Sequence, residues 1–593
     1  MLLLLADTIL LIFITLTLGI LTREILARIF RIPLHADLLE LFFLGLLSSS
    51  FYFNLLSFWL PVNYWTLIPL GLAGIGVTVF YREHTRAVSR SIRQNVAFFF
   101  SSSHWPATII IGIVLFTYWI LPCGTGDSYL YHIQSVLWYE KFKVVPGLAN
   151  LNGRLAFNPA SFLIESAYSF TGPVGQSLYP LNGAAALFIF SWLLLRVFRS
   201  GRSLISLAYA ALIILVYRHT LVTISSSTSD TMSMVCMVYV LVRLAEYGLS
   251  PNKNLTTAIL PILIALFGII IKPATFALLL ALPYLFFTLP QAQKRLSLLF
   301  KLALFALLIY LPWIGRNYIL SGYLVFPFSA TGWFHPDWKV PRDVITMEIN
   351  YIKIVPKVEG DWSPESVARA RTLLGWFIPW VRSFGPKAVM DTVFLFMALL
   401  SPFYWLIRLR WQKTRSPLLL PWAIAFVATL LWMQASPVFR FGCIYVYMSF
   451  MLPLFDLALA LPASSSVRTS ALLTYLPRVY PGALLLPLLL AGTYYIHSGF
   501  GRETTYPFTL ADCWLRPLKP IWYHLQDNKD FPYRVLKNGT KMYVSDHSHG
   551  CIVTCLPCME FDYGEIDMRG TRLDEGFRNV KDEVKLHYPI YVQ

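Results

Sequence analysis

Charged side chains are scarce in this chain, 13% of its 593 residues, against about 25% in a soluble domain. The shortfall excludes an ordinary water-soluble fold. It falls in a series of apolar runs about 17–23 residues long, the length that carries a helix across a hydrocarbon core. Apolar and polar residues do not alternate at period two, which excludes a membrane β-barrel. Spanning helices are the form that remains, because lipid offers no partner to an open backbone group. Metal-ligand spacing is also lacking. The first long polar loop holds no Asp-x-Asp motif and no His-x-x-x-His pair, so a divalent cation stays open but has no ligand motif.

What is present points the same way. Hydrophobic residues make up 56% of the chain and the mean hydropathy is +0.59. The net charge of +17 would suggest nucleic acid in a soluble protein. Here the basic residues lie in short loops between apolar runs, as the positive-inside rule expects, so no nucleic-acid partner is expected. The first run, Leu2 to Leu21, lacks a basic leader and a small-residue cleavage site, and is expected to be a retained first span.

The apolar runs predict an all-α polytopic membrane protein with about fourteen transmembrane helices. They fall near 3–21, 38–60, 62–81, 107–121, 177–195, 203–218, 231–247, 256–271, 274–290, 297–313, 391–407, 417–433, 441–461 and 481–497. With these spans every strongly basic loop falls on one side: Arg23/Arg28/Arg31, Arg82/Arg86/Arg90/Arg93, Arg196/Arg199/Arg202, Lys294/Arg295, Arg408/Arg410/Lys413/Arg415 and Arg468/Arg478. That side is expected to be cytosolic. The other loops face outward. They are 122–176, 219–230, the Lys272-Pro273 turn, the long 314–390 loop, 434–440 and the tail. The domain division is a transmembrane module, 1–497, and an outward C-terminal domain, 498–593.

The densest polar cluster is Gly124-Thr-Gly-Asp-Ser-Tyr-Leu-Tyr-His-Ile-Gln-Ser-Val-Leu-Trp-Tyr-Glu-Lys141. Gly126 breaks the preceding helix and Asp127 or Ser128 can cap a new one. Its apolar stripe, with Trp138 and Tyr139, suits a helix lying in the headgroup zone. Asp127 is then either a cap or a functional carboxylate. Arg154, Asn152 and Asn158 follow in the same loop, more polar chemistry than a connector needs. Asp230 starts a span within Ser225-Ser-Ser-Thr-Ser-Asp230, where a free helix N-terminus favours anions; it caps, holds a substrate hydroxyl or holds a metal. Lys272, Arg316 and Arg440 are isolated cations beside outer span ends, each either snorkelling or binding an anion. Together they suggest an anionic ligand at the membrane surface, such as a lipid phosphate.

The tail loses the long apolar runs and gains turns, charge and Tyr. It carries Cys513, Cys551, Cys555 and Cys558. Outside the cytosol these read as disulfide candidates rather than a zinc site, stapling a small α+β domain that shapes an acceptor groove or holds a partner.

The arrangement resembles the GT-C superfamily of polytopic glycosyltransferases, which place an acidic residue just after a span in a first long outward loop with membrane-parallel helices. Here that residue is Asp127 in Gly126-Asp-Ser-Tyr-Leu-Tyr-His132, and the likeness covers about residues 100–450. A closer likeness is to uncharacterised bacterial membrane proteins that share Asp-Ser-Tyr-x-Tyr-His, the Gly147 to Arg154 segment ending in Phe157-Asn158, a Ser-Asp span start at Asp230, and Arg569-Gly570 and Gly576-Phe577 in the tail. Where that group has Ala-Pro-Asp-x-Arg-Phe, this chain has Ser436-Pro-Val-Phe-Arg-Phe441, so an acid at 438 is excluded while Arg440 stays available.

The resemblance implies a bacterial inner-membrane enzyme with a periplasmic active face. It would move a sugar, with inversion, from a polyprenyl-phosphate donor to a hydroxyl of a glycan, lipid or protein. It implies catalytic roles for Asp127 and Asp230, and substrate contacts from Tyr129, His132, Arg154, Asn158, Lys272, Arg316 and Arg440. A lipid-linked polysaccharide polymerase or ligase, acting through His335, Arg342 or Arg382 of the late loop, is the first alternative. A transporter or flippase is the second, and would want charges at mid-membrane.

Overall fold

The computed structural model describes residues 2–101, 105–120, 127–174, 177–200, 204–251, 253–289, 295–358, 361, 363–383, 389–411, 416–460, 490, 533–544, 556–559 and 565–580. Among the described residues, apolar sequence becomes helix where the runs predict it. The helices are α1 (Leu2–Phe30), α2 (Leu38–Leu56), α3 (Leu67–Phe80), α4 (Arg82–Phe99), α5 (Trp105–Ile120), α6 (Ile133–Lys141), α7 (Ala160–Tyr168), α8 (Thr171–Val174), α9 (Pro180–Arg199) and α10 (Leu204–Thr223). They continue with α11 (Asp230–Leu249), α12 (Leu255–Ile271), α13 (Ala281–Thr288), α14 (Arg295–Ser321), α15 (Arg342–Val358), α16 (Pro364–Arg371), α17 (Phe377–Ser383), α18 (Val389–Trp411), α19 (Leu419–Ala435) and α20 (Phe439–Ala460). A 3₁₀ turn, Pro273–Leu280, leads into α13.

The expected count of fourteen spans is not confirmed. Among the described residues eight helices are long and apolar enough to cross a membrane, or up to nine if the bent pair Tyr64–Phe80 and Arg82–Phe99 is one span. That pair turns by 97°, where apolar α3 gives way to the basic sequence of α4. Helices α5, α12, α19 and the Pro273–Thr288 pair are apolar but shorter. Of the fourteenth run, 481–497, only residue 490 is described.

Ionic pairs gather at the bundle end where the basic loops meet. Asp37 and Glu40 cap α2 reciprocally, Glu40 N–H to Asp37 Oδ1 at 3.0 Å and Asp37 N–H to Glu40 Oε2 at 2.8 Å. Arg243 of α11 pairs with Glu40 and Glu246, and Arg196 of α9 donates to Glu246 at 2.7 Å. Trp192 Nε1 donates to Asp37 at 2.7 Å.

The tail contributes β1 (Tyr533–Val535), β2 (Lys541–Val544) and β3 (Cys558–Met559) as one sheet, and β4 (Ile566–Met568) with β5 (Phe577–Asn579) as an antiparallel pair. These strands are the described part of the expected tail domain. Cys558 lies on β3, while Cys513, Cys551 and Cys555 lie outside the described residues. The β4–β5 pair docks on the first loop and the 314–390 loop. Phe577 N–H donates to Pro146 O at 2.9 Å, and its ring meets Trp138 edge-on at 5.8 Å. Arg569 donates to Asp337 at 2.8 Å and covers the Trp338 ring at 4.6 Å.

The seam explains two glycines. Gly147 (φ +64°) and Gly576 (φ +100°) are left-handed, and a Cβ on either would stand about 2 Å from a carbonyl of the other's segment: 2.1 Å from Phe577 O and 2.2 Å from Pro146 O. Gly147→Ala or Gly576→Ala is therefore expected to undock β4–β5, read as faster deuterium exchange at the Phe577 amide and faster proteolysis of the tail. Gly539→Ala is the control, since Gly539 is also left-handed (φ +84°) but has nothing within 4 Å of its Cβ position. Exchange at Phe577 that matches wild type in all three variants would remove the seam from the account.

Candidate functional site

Asp127 does not cap its helix. It precedes a widened turn, Ser128–His132, in which Ile133 N–H reaches back five residues to Ser128 O, and its carboxylate makes no capping bond. Such i→i+5 turns are frequent at functional sites. The capping alternative therefore falls away. The surface-lying helix expected after it also differs, because Gln134–Glu140 of α6 are buried all round. This helix packs within the protein, beneath α7 and the tail, rather than half in headgroups.

The carboxylate instead meets the guanidinium of Arg440, in the first turn of α20. Arg440 also approaches Asp230, Nε to Oδ2 at 3.2 Å. Asp230, at the first residue of α11, in turn pairs with Lys272. Lys272 sits where α12 ends before Pro273, its backbone extended, with its ammonium 3.5 Å from the Phe441 ring centroid. Two carboxylates and two cations, from four separate segments, thus form one neutral cluster. Its inner pair is enclosed, Asp230 and Lys272 being 7% and 18% exposed, while its outer pair is open, Asp127 and Arg440 being 30% and 34% exposed. Lys272 neither snorkels nor stands free; it is ion-paired.

The electrostatics follow from this placement. Burial acts to raise the Asp127 carboxyl, but Arg440, His132, Arg154 and Lys272 together outweigh it and hold the group below the ordinary carboxylate range. His132 is buried, and burial pushes it down to about 4 against the pull of Asp127 and Asp230. It is therefore neutral at pH 7, with Nδ1 3.5 Å from Ser128 Oγ. Tyr131 lies in the field of Asp127, Asp230, Arg154 and Arg440, and its hydroxyl is held well above its usual value, first by burial.

The remaining expected residues lie around this cluster rather than in it. Arg154 is enclosed beside Glu348 of α15, 3.6 Å away, and stacks on Tyr351 at 4.3 Å. Asn158 is a clamp. It holds a left-handed backbone (φ +51°), donates to Trp313 O at 3.2 Å, accepts from Trp313 Nε1 on its own carbonyl at 2.8 Å, and accepts from Arg316 Nε at 3.0 Å. Arg316 is buried on that clamp, over the Tyr139 ring at 4.6 Å, and makes no described contact with the Asp127 cluster. The side chain of Tyr129 lies outside the described residues. Among the described residues no group of three or more His, Cys, Asp or Glu is placed to hold a metal.

Sequence reasoning missed Glu348, Tyr131, Tyr351 and Phe441. Tyr131 stood in the Asp-Ser-Tyr-Leu-Tyr-His segment, and Phe441 next to Arg440. Glu348 and Tyr351 share one face of α15 at i, i+3, a pattern that a solvated helix face gives equally well.

Fold and site together define a polytopic helical membrane protein with a neutral two-carboxylate, two-cation cluster at one end of its bundle. The family model described as "Domain of unknown function (DUF8201)" matches residues 1–447, a span that contains all four charged residues, and the chain belongs to that family. No curated protein and no solved structure matches the chain.

Two outcomes test the cluster. Lys272→Met leaves the enclosed Asp230 with Arg440 as its one described cation and is expected to cost about 3 kcal/mol. Adding Asp230→Asn should recover much of that, seen as a non-additive double-mutant cycle in thermal melts; additive losses would show that the pair is not coupled. The second outcome concerns pH. A carboxyl with a lowered folded-state pKa contributes stability above its unfolded pKa and loses it as pH falls through the folded one. With Arg440→Gln, burial is left to raise Asp127 toward or past its unfolded value, so melting temperature should be lower near pH 7 but should fall less on acidification than in wild type. An acid loss in Arg440→Gln as large as in wild type would count against Arg440 as the group that holds it.

Proposed function

We propose that the chain is a membrane glycosyltransferase that moves a sugar from a polyprenyl-phosphate donor to an acceptor hydroxyl. The observation that carries this reading is the open Asp127–Arg440 pair resting on the enclosed Asp230–Lys272 pair. A base and its counter-cations meet there at a span end, where a lipid phosphate head would lie. The sequence resemblance to GT-C enzymes points to the same residue, Asp127.

Asp127 accepts the proton of the acceptor hydroxyl as that oxygen attacks the anomeric carbon. The bond from that carbon to the phosphate oxygen breaks, and the electron pair leaves with the lipid phosphate. Arg440 and Lys272 offset the charge that grows on the leaving group, while Asp230 holds both cations in place. Inversion follows from a single in-line displacement. Arg440 must turn from Asp127 toward the phosphate for Asp127 to gain basicity, so the donor binds first.

The face is read as periplasmic in a bacterial inner membrane, because the basic loops all fall on the other side. The four loops that supply the cluster are ones the charge pattern assigns to a single side, which supports that orientation. Cys513, Cys551, Cys555 and Cys558 are read as a disulfide framework suited to that compartment.

Asp127→Asn is expected to abolish transfer in proteoliposomes, a loss of at least about 10²-fold as for removal of a general base, while the chain stays folded with a melting temperature lowered only by loss of the Arg440 pair. His335→Ala should be silent, since His335 lies exposed in the late loop. Full activity in Asp127→Asn, with loss in His335→Ala, would favour the polymerase or ligase reading instead. Mass spectrometry of co-purified lipid checks the donor class directly.

A further inference from the structure

The 314–390 loop carries a surface that the cluster does not use. Between α16 and α17 the chain turns through Thr372-Leu-Leu-Gly-Trp-Phe-Ile378, and Leu373, Leu374 and Ile378 are 68%, 71% and 60% exposed. Three adjacent large apolar side chains held out from the protein need a cover, because water would make them costly at roughly 25 cal/mol per Å². The turn itself is built, not slack. Gly375 N–H donates to Thr372 Oγ1 at 3.0 Å, Trp376 Nε1 donates to Leu373 O at 3.2 Å, and Phe377 N–H donates to Leu374 O at 3.1 Å.

The position of the turn says what covers it. Phe377 packs 6.4 Å from Phe396 of the spanning helix α18. Along α18 the exposed side chains include Met390, Val393, Phe396, Leu400 and Phe403, which in a spanning helix face acyl chains. The apolar turn therefore continues a lipid-facing stripe. Beneath it Trp376 meets Trp380 at 5.3 Å, and Trp380 reaches Trp432 of α19 at 6.5 Å, buried rings that join the turn to the bundle. Lys357 of α15 donates to Gln434 O at 3.0 Å at the end of α19 and lies 5.1 Å from the Trp376 ring, which fixes the turn at the same bundle end as Arg440. Charge agrees: Arg369, Arg371 and Arg382 flank the turn and are exposed, and Glu365 is the one acid between residues 364 and 383.

We propose that the α16–α17 turn is a lipid-inserting wedge, with Leu373, Leu374 and Ile378 among acyl chains and Arg369, Arg371 and Arg382 on the phosphates of anionic lipid headgroups. The proposal rests on continuity with the α18 lipid face and is independent of the reaction catalysed. The wedge anchors α15, the helix that brings Glu348 to Arg154, against the bilayer.

The test is a nitroxide on Leu374→Cys in the full chain, in vesicles of phosphatidylcholine mixed with phosphatidylglycerol. Leu400→Cys is the lipid-facing reference and Lys537→Cys, exposed in the β1–β2 turn, the aqueous one. Relaxation by oxygen relative to a water-soluble nickel chelate should be several-fold higher at 374 than at 537 and close to that at 400. A ratio at 374 equal to that at 537 overturns the wedge, as does shielding from both probes, which would mean cover by protein or a second copy. Arg371→Gln with Arg382→Gln should lower the ratio at 374, and omitting phosphatidylglycerol should do the same; no change in either overturns the anionic-headgroup part. All substituted side chains are exposed, so misfolding is checked simply by an unchanged melting temperature.

Discussion

The polar end of this bundle depends on Asp230 meeting Lys272. Each alone would be an enclosed charge at a span end, several kcal/mol unfavourable even after relaxation. Paired, they let α11 begin and α12 end at the same depth, and that shared depth sets where the first turn of α20 can lie. Arg440 then has one carboxylate behind it and finds a second in front, Asp127. The first loop is drawn onto the bundle by that contact, and the tail is built on the first loop in turn through Pro146 and Gly147. The order of dependence runs inward to outward, from the least exposed pair to the most exposed.

Much of this was legible. The apolar runs gave helices at thirteen of the fourteen expected places, and the loops grouped by charge gave the residues that converge. Asp127, Asp230, Lys272 and Arg440 each stood out as a charge at the end of an apolar run, where few other polar residues compete for attention. The Gly147 and Gly576-Phe577 segments, noticed only as a likeness, turn out to be two halves of one seam whose left-handed backbones leave no space for a Cβ.

The illegible part has a common cause. Sequence shows which groups are polar but not which are paired. Lys272, Arg316 and Arg440 looked alike as isolated cations, yet two are joined to carboxylates while Arg316 is spent on Asn158 and the Tyr139 ring. Arg154 looked like a loop cation and is held by Glu348, nearly two hundred residues on. Span count is a question of length: α12 and α19 are apolar but only 17 residues each, at the short end of what crosses a bilayer.

Neutrality of the cluster constrains how it could act. With two carboxylates and two cations in mutual contact, the resting site has no net pull on an anion, and Asp127 is a poor base because Arg440 stabilises its charged form. An arriving phosphate changes the sum rather than the parts. It adds negative charge beside cations already committed, so Arg440 is shared among three acceptors instead of two and Lys272 between two instead of one. The enclosed pair resists that sharing, since Asp230 is 7% exposed and has nowhere to relax. The open pair yields. Arg440, a third exposed, is the group free to move, and Asp127 is the carboxylate that loses its partner. On the proposed reading, the gradient of burial across four residues decides which acid becomes the base, and it does so only once the leaving group is in place.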